Sequence, residues 1–248
     1  MATIWDPEVE IQSRLNGKDK AAALRNLVAF LKSTGVPEPD SYVDARFDMP
    51  QQFEIELVDF RFDNNKAAYT PLVLDEKVIE NTSEKSTLTE QFSYSKTTTD
   101  SHTLSFTEGL KAGVSAKFKA GIPVANTEWT ISGEISFSST QSDTITSSHT
   151  WSHTVTVQVP PQSRVRVKAF VTTANVSMTF SAAALVESGY MFTTAHKVVN
   201  GQDRQWHDFP MVPIRSLLPD EQDRSLPLSG TYHGTFGISS YTTVEDIK

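Results

Sequence analysis

The chain has 248 residues, a formal net charge of −8, 38% hydrophobic and 21% charged residues, and no cysteine. That is enough for one long β domain or two smaller ones, with a globular, soluble composition, and the acidic balance argues against general nucleic-acid binding and against purely electrostatic attraction to anionic lipid. The missing cysteines exclude a disulfide framework and a thiolate metal site, and no apolar run approaches the ~18 residues of a membrane-crossing helix.

Met1 to Glu10 carry three acidic residues and no apolar stretch, so the N-terminus does not read as a secretory signal. The first 35 residues predict one helix. Asp19 caps it, Leu24, Leu27, Val28 and Leu31 recur at helical spacing, and Gly35 closes it ahead of Pro37. From Phe53 the pattern turns to strand. Phe53, Ile55 and Leu57 alternate, then Phe60 and Phe62 take over after a phase change at Val58 or Asp59, which predicts a bulge. Leu72 to Ile79 reads as another strand.

Between Thr82 and Val157, 31 of 76 residues are Ser or Thr. A disordered linker has that richness, but here it alternates with Phe92, Tyr94, Leu104, Phe106, Trp151, Val155 and Val157, so long polar strands are expected. Inside this stretch lies an amphipathic hairpin, Lys111 to Phe137. Ala112, Val114, Ala116, Phe118, Ala120 and Ile122 occupy one face of the first arm, and Trp129, Ile131, Gly133, Ile135 and Phe137 that of the second. Lys117 and Lys119, then Glu128 and Glu134, lie on the opposite face, with Pro123 near the bend. A shared apolar face requires paired positions with an odd sum; a sum of 251 sets Lys117 against Glu134, one register among several. Two readings stand here. Such strands build soluble sandwiches with one face on the core. They also match the ~9–11 residues of a tilted membrane strand, and the small residues Ala112, Ala116, Ala120 and Gly133 make a thin face for a core.

After Pro160-Pro161, Val165, Val167, Ala169 and Val171 alternate with Arg164, Arg166 and Lys168, and a further strand runs through Val176, Met178 and Phe180. Residues 187–212 are rich in aromatics, 213–229 read as loop, and Tyr232, Phe236, Ile238 and Tyr241 form a last strand. Asn81-Thr82-Ser83 and Asn175-Val176-Ser177 match the glycosylation pattern, relevant only in a eukaryotic secretory path. No G-x-S-x-G, P-loop, H-E-x-x-H or dinucleotide turn is present, so no enzyme, metal or cofactor is expected. His149 and His153 share a strand face and read as solvated rather than as ligands.

The ordered set is what carries a resemblance: the Thr97-Thr98-Thr99-Asp100-Ser101-His102-Thr103 strand, Lys111-Ala112-Gly113-Val114, Phe118-Lys119-Ala120-Gly121-Ile122-Pro123, the second Ser/Thr-rich strand, Val159-Pro160-Pro161 and the basic strand from Arg164 to Lys168. It resembles the aerolysin-like β-pore-forming toxins of the epsilon-toxin/mosquitocidal-toxin branch, best over roughly residues 75–185. The resemblance implies a mainly β, elongated molecule of long twisted antiparallel strands with one short N-terminal helix in the head. It implies a receptor-binding head (1–75 with 187–212), an oligomerisation body (76–110, 138–186 and 213–248) and a membrane-insertion hairpin (111–137). The hairpin's apolar face then meets lipid, and Lys117, Lys119, Glu128 and Glu134 line the pore. Trp5, Tyr42, Tyr190 and Trp206 are the candidate receptor-binding aromatics, with a local core of the head as the competing role. The implied partners are a target-cell membrane, an unidentified receptor (glycan, protein or lipid) and further copies in a heptamer or octamer. The chain is expected to be soluble, released without a signal peptide, and to act at target membranes. The alternative function is a lectin-like or lipid-head-group-binding β-protein that never inserts.

Overall fold

The computed structural model describes residues 3–124, 127–138, 141–199 and 203–247. In chain order the elements are β1 (Thr3–Trp5), α1 (Pro7–Asn16), α2 (Lys20–Ser33), β2 (Tyr42–Asn81), β3 (Leu88–Leu110), β4 (Ser115–Val124), β5 (Thr127–Ser136), β6 (Ser142–Val159), β7 (Ser163–Val199), β8 (Asp203–Pro213), α3 (Ile214–Leu217) and β9 (Ser225–Ile247). The fold is mainly β and elongated. Its sheet runs β1-β3-β9-β7-β2-β4-β5, with β6 added on β3 and β8 on β7.

Two strands set the long axis. β2 and β7 pair antiparallel from Tyr42↔Lys197 to Asn81↔Ser163. The segments expected as separate strands around Phe53 and Leu72, and around Val165 and Val176, are therefore single long strands bent by bulges. One bulge falls where the phase change predicts it: Asp59 has φ 56° and the register shifts between Val58 and Arg61. Asn64, also at φ 56°, marks the next shift, and Asp and Asn are the residues that tolerate the left-handed region most readily. Each bulge restores the alternation that an unbroken strand would lose, so the chain keeps apolar side chains inward over its whole length.

The Ser/Thr-rich segments form the β3–β6 ladder, from Leu88↔Val159 to Ser105↔Ser142. Their outer face carries hydroxyl pairs across the strands, including Ser93–Thr154 at 2.9 Å, Thr97–Thr150 at 3.0 Å and Thr103–Thr144 at 2.8 Å. Their inner face covers a small core at one end, where Phe92, Tyr94, Val157 and Val159 meet Ile79, Val165, Val167 and Ala169. The main core joins the helices, the middle of the sheet and the hairpin.

Three local expectations need correction. The N-terminus holds two helices, not one. Asp6 caps α1, its carboxylate accepting from the amides of Glu8 (3.1 Å) and Val9 (3.4 Å), and Pro7 takes the first turn. Ile11 and Leu15 are buried, but two apolar residues are too few to show as a stripe. Asp19 makes no side-chain cap on α2. Third, residues 213–229 are not only loop: they contain α3 and the start of β9. Of the glycosylation matches, Asn81 is buried, its amide donating to the carbonyls of Ser86, Val159 and Pro160.

Candidate functional site

β4 and β5 form the hairpin read from the sequence, in the register that sums to 251: Ser115↔Ser136, Lys117↔Glu134, Ile122↔Trp129. Val114, Ala116, Phe118, Ala120, Ile122, Ile131, Ile135 and Phe137 are buried, and Trp129 is half-buried. Ala112 departs from the pattern. It is exposed in the turn before β4, because Gly113 at φ 89° reverses the chain there and Val114 begins the buried face. Lys117, Lys119, Glu128 and Glu134 all face water.

The apolar face is not thinly packed. It lies on the aromatic floor of the sheet as part of the main core. Phe118 packs on Phe60 (ring centroids 6.2 Å apart), Phe137 on Phe106 (4.8 Å) and Trp129 on Phe236 (5.5 Å). Small residues at 116 and 120 let the hairpin approach the strands beneath it without emptying the contact. Backbone attachment is slight by comparison. Among the described residues β4 pairs in parallel with β2 at Glu56↔Lys117 and Leu57↔Phe118. Asn65 adds one side-chain bond to the Pro123 carbonyl (2.8 Å), and Lys117 faces Glu54 across 3.6 Å of exposed surface.

Two hinges bracket the hairpin, and sequence reasoning missed both. At the first, the Lys111 amide donates to the Trp5 carbonyl (2.8 Å) and its ammonium reaches Asp6 (3.1 Å) and Glu8 (3.0 Å). The two carboxylates also sit at the positive end of α1. Bonds to Glu8 and then Asp6 push the Lys111 pKa upward. At the second, Gln141 is buried at φ 51°. Its side-chain amide donates to the carbonyls of Leu110 (3.0 Å) and Ser138 (2.7 Å), tying the way in to the way out. Gly109 makes room: a Cβ there would stand 2.0 Å from Gln141 Oε1. The Asp6-Pro7 pair is the one local signal that marks the first hinge; Gln141 carries none.

Beneath the hairpin lies a buried polar pair. His102 Nδ1 and the Tyr232 hydroxyl are 2.8 Å apart, their rings stack, and His102 also packs against Phe236, the residue under Trp129. Asp100, also buried, accepts from the Gly237 amide at 3.1 Å. Burial pushes the His102 pKa down, with Asp100 opposing, and pushes the Tyr232 hydroxyl strongly up.

The four candidate receptor-binding aromatics do not come together. Tyr42 is buried, edge-on to His207 (5.8 Å) and Phe209 (5.7 Å), and belongs to the core. Trp5 is half-buried against the same core. Tyr190 and Trp206 are exposed. His149 and His153 are exposed with Trp151 between them, and no cluster among the described residues could hold a metal ion. Nor is any helix among the described residues long and apolar enough to cross a membrane.

The family model for Clostridium epsilon toxin ETX/Bacillus mosquitocidal toxin MTX2 matches residues 43–241. Among solved structures, a non-toxic crystal protein from Bacillus thuringiensis is 16% identical, with 91% of this chain and 96% of that one covered at a TM-score of 0.51. The Mpp75Aa1.1 beta-pore-forming protein from Brevibacillus laterosporus is 18% identical, with 99% and 90% covered at 0.46. The parasporin-2 Bacillus thuringiensis toxin that recognizes cancer cells is 17% identical, with 96% and 95% covered at 0.40. No curated protein sequence matches significantly. At such identities the structural likeness speaks to the fold, whereas the family match spans most of the chain, hairpin included: the protein belongs to the family of Clostridium epsilon toxin ETX and Bacillus mosquitocidal toxin MTX2.

Proposed function

We propose that this chain forms pores: it binds a receptor on a target cell, oligomerises, and inserts residues 111–137 of each protomer into one shared transmembrane β-barrel. One observation carries the reading. The inward residues of β4 and β5 are apolar or glycine while Ser115, Lys117, Lys119, Glu128, Thr130, Ser132, Glu134 and Ser136 face water, and the hairpin is seated by side-chain burial rather than by a long backbone ladder. The same pattern suits both states. On the monomer the apolar face rests on the body; in a barrel it meets lipid while the charges line the lumen. A lone hairpin would leave unpaired edges in hydrocarbon, so release requires closure by several protomers.

A covalent lock tests it. Glu56 and Lys117 are exposed cross-strand partners, and neighbouring strands lie ~4.8 Å apart, within the ~4.4–6.8 Å that a disulfide spans. With no native cysteine, the Glu56→Cys/Lys117→Cys protein can form only this intramolecular bridge. Oxidised, it should bind cells without releasing dye; reduced, it should release dye as the unmodified protein does. Equal release from the verified oxidised form removes hairpin release as the mechanism. Binding without release in either redox state supports the non-inserting, lectin-like alternative.

A further inference from the structure

A second concave feature lies at the other end of the sheet, where β2, β7 and β8 run side by side. Register places Arg46, Thr194 and Asp208 in one row, and Asp44, His196 and Trp206 in a row two residues along, on the same face. Trp206 is 55% exposed, a large indole left in water. Its cross-strand neighbour braces it: the His196 ring, itself buried, packs with centroids 4.8 Å apart. Arg46, Asp48, Thr194 and Trp206 line a cleft of about 320 Å³, within the usual range for small-ligand sites.

The polar groups around the indole are already paired among themselves. Arg46 Nε lies 3.2 Å from Asp48, Thr194 donates to Asp208 at 2.9 Å, and Asp44 is held by Lys20 at 2.7 Å. Around the cleft stand one guanidinium, already paired with Asp48, and the Asp208 carboxylate, which meets only a neutral hydroxyl: an anionic ligand would be repelled by the carboxylates, and a cationic one would leave the Arg46 donors unused. A neutral polyhydroxyl ligand can use every group. It needs an apolar face to lie on the indole and several hydroxyls that donate to the carboxylates and accept from Arg46. A pyranose ring has that combination. We infer that the Trp206 cleft is a carbohydrate subsite, with Trp206 as the stacking platform and Asp208, Asp48 and Arg46 as hydroxyl partners. The inference rests on the cell-binding part of the proposed function and supplies its ligand class.

The test uses the whole chain and saturation-transfer NMR. Neutral oligosaccharides ending in galactose, N-acetylgalactosamine, N-acetylglucosamine, mannose or glucose are the probes, with choline chloride and inorganic phosphate as the cationic and anionic comparisons. At least one sugar should bind. Its Kd should rise tenfold or more in Trp206→Ala and in Asp208→Asn, and stay unchanged in Tyr241→Ala, which removes an exposed aromatic elsewhere on the sheet. Thermal melts matching the unmodified protein confirm that the exposed substitutions leave the fold intact. No transfer from any sugar overturns the inference, as does sugar binding that survives Trp206→Ala, or loss of choline or phosphate binding instead. Dye release from liposomes made with target-membrane extract, which carry the receptor, separates the two readings. Release without sugar binding leaves the pore and sinks the subsite; sugar binding without release leaves the subsite and sinks the pore.

Discussion

His102 is the residue where burial, chemistry and position coincide. It is 3% exposed, pairs with Tyr232, and shares Phe236 with Trp129 of the hairpin. Its folded-state pKa lies below the ordinary histidine value of 6.5 because burial disfavours the charged ring. The native state therefore binds fewer protons than the unfolded chain below that value, and stability present above pH 6.5 is lost as pH falls toward the folded pKa. The slope contributed by one such group is at most about 1.4 kcal/mol per pH unit. His102→Gln keeps a hydrogen-bonding side chain but cannot titrate. Urea melts between pH 7.5 and 5.5 should show a smaller loss of stability for the variant than for the unmodified protein; parallel pH profiles would exclude His102. Buried apolar positions on the hairpin behave differently. Ile131→Ala should cost about 2–5 kcal/mol in monomer stability, since Ile131 belongs to the main core. A change below 1 kcal/mol in the same melts would mean the face is loosely packed.

At the level of elements, if the hairpin is released as proposed, the contacts at its two hinges must break first. Lys111, Asp6 and Glu8 are about one-third exposed, so each ion pair is worth no more than ~1 kcal/mol. Pairing raises the Lys111 pKa above its ordinary 10.5, so this contribution is complete at neutral pH and is lost only as alkali passes the folded value. Lys111→Met should lower stability by about 1 kcal/mol and speed dye release from receptor-bearing membranes without altering binding. A rate equal to that of the unmodified protein would show that the ion pairs do not hold the hairpin shut. The second hinge is stiffer, because Gln141 closes over Gly109 and ties Leu110 to Ser138 inside the core. Its left-handed backbone and two side-chain bonds have no counterpart in any local sequence rule, which explains why the strand reading passes over it.

The whole molecule is a long sheet with the β4–β5 hairpin packed on it. Strands β3 and β6 flank the hairpin directly in sequence and already pair with each other, so the chain enters and leaves it through a preformed ladder. If the hairpins close into a barrel, Lys117, Lys119, Glu128 and Glu134 become rings of charge around the conduction path. Glu128→Gln/Glu134→Gln leaves lysine as the lumen charge, and all four side chains are solvent-facing in the monomer, so folding should change by less than ~0.5 kcal/mol. In planar bilayers under a salt gradient the reversal potential should move toward the anion value. An unmoved potential with pores still opening would place those carboxylates outside the lumen.

Alternation alone determined the mainly β fold, the bulge near Asp59, the hairpin faces and the odd-sum rule for pairing, because side-chain period and face are properties of the local chain. The branch of the family was legible too, from an ordered set of stretches rather than any one motif. Only the tertiary structure selected the register that opposes Lys117 and Glu134, since several odd sums satisfy the same pattern. It alone showed that Ala116 and Ala120 of the hairpin belong to a packed core, that Tyr42 is buried while Trp206 is not, and that Asp6 and Glu8 reach Lys111 across more than a hundred residues of sequence. Burial and long-range polar contacts depend on which surfaces meet, and a period of two records which face a residue takes but not what covers it.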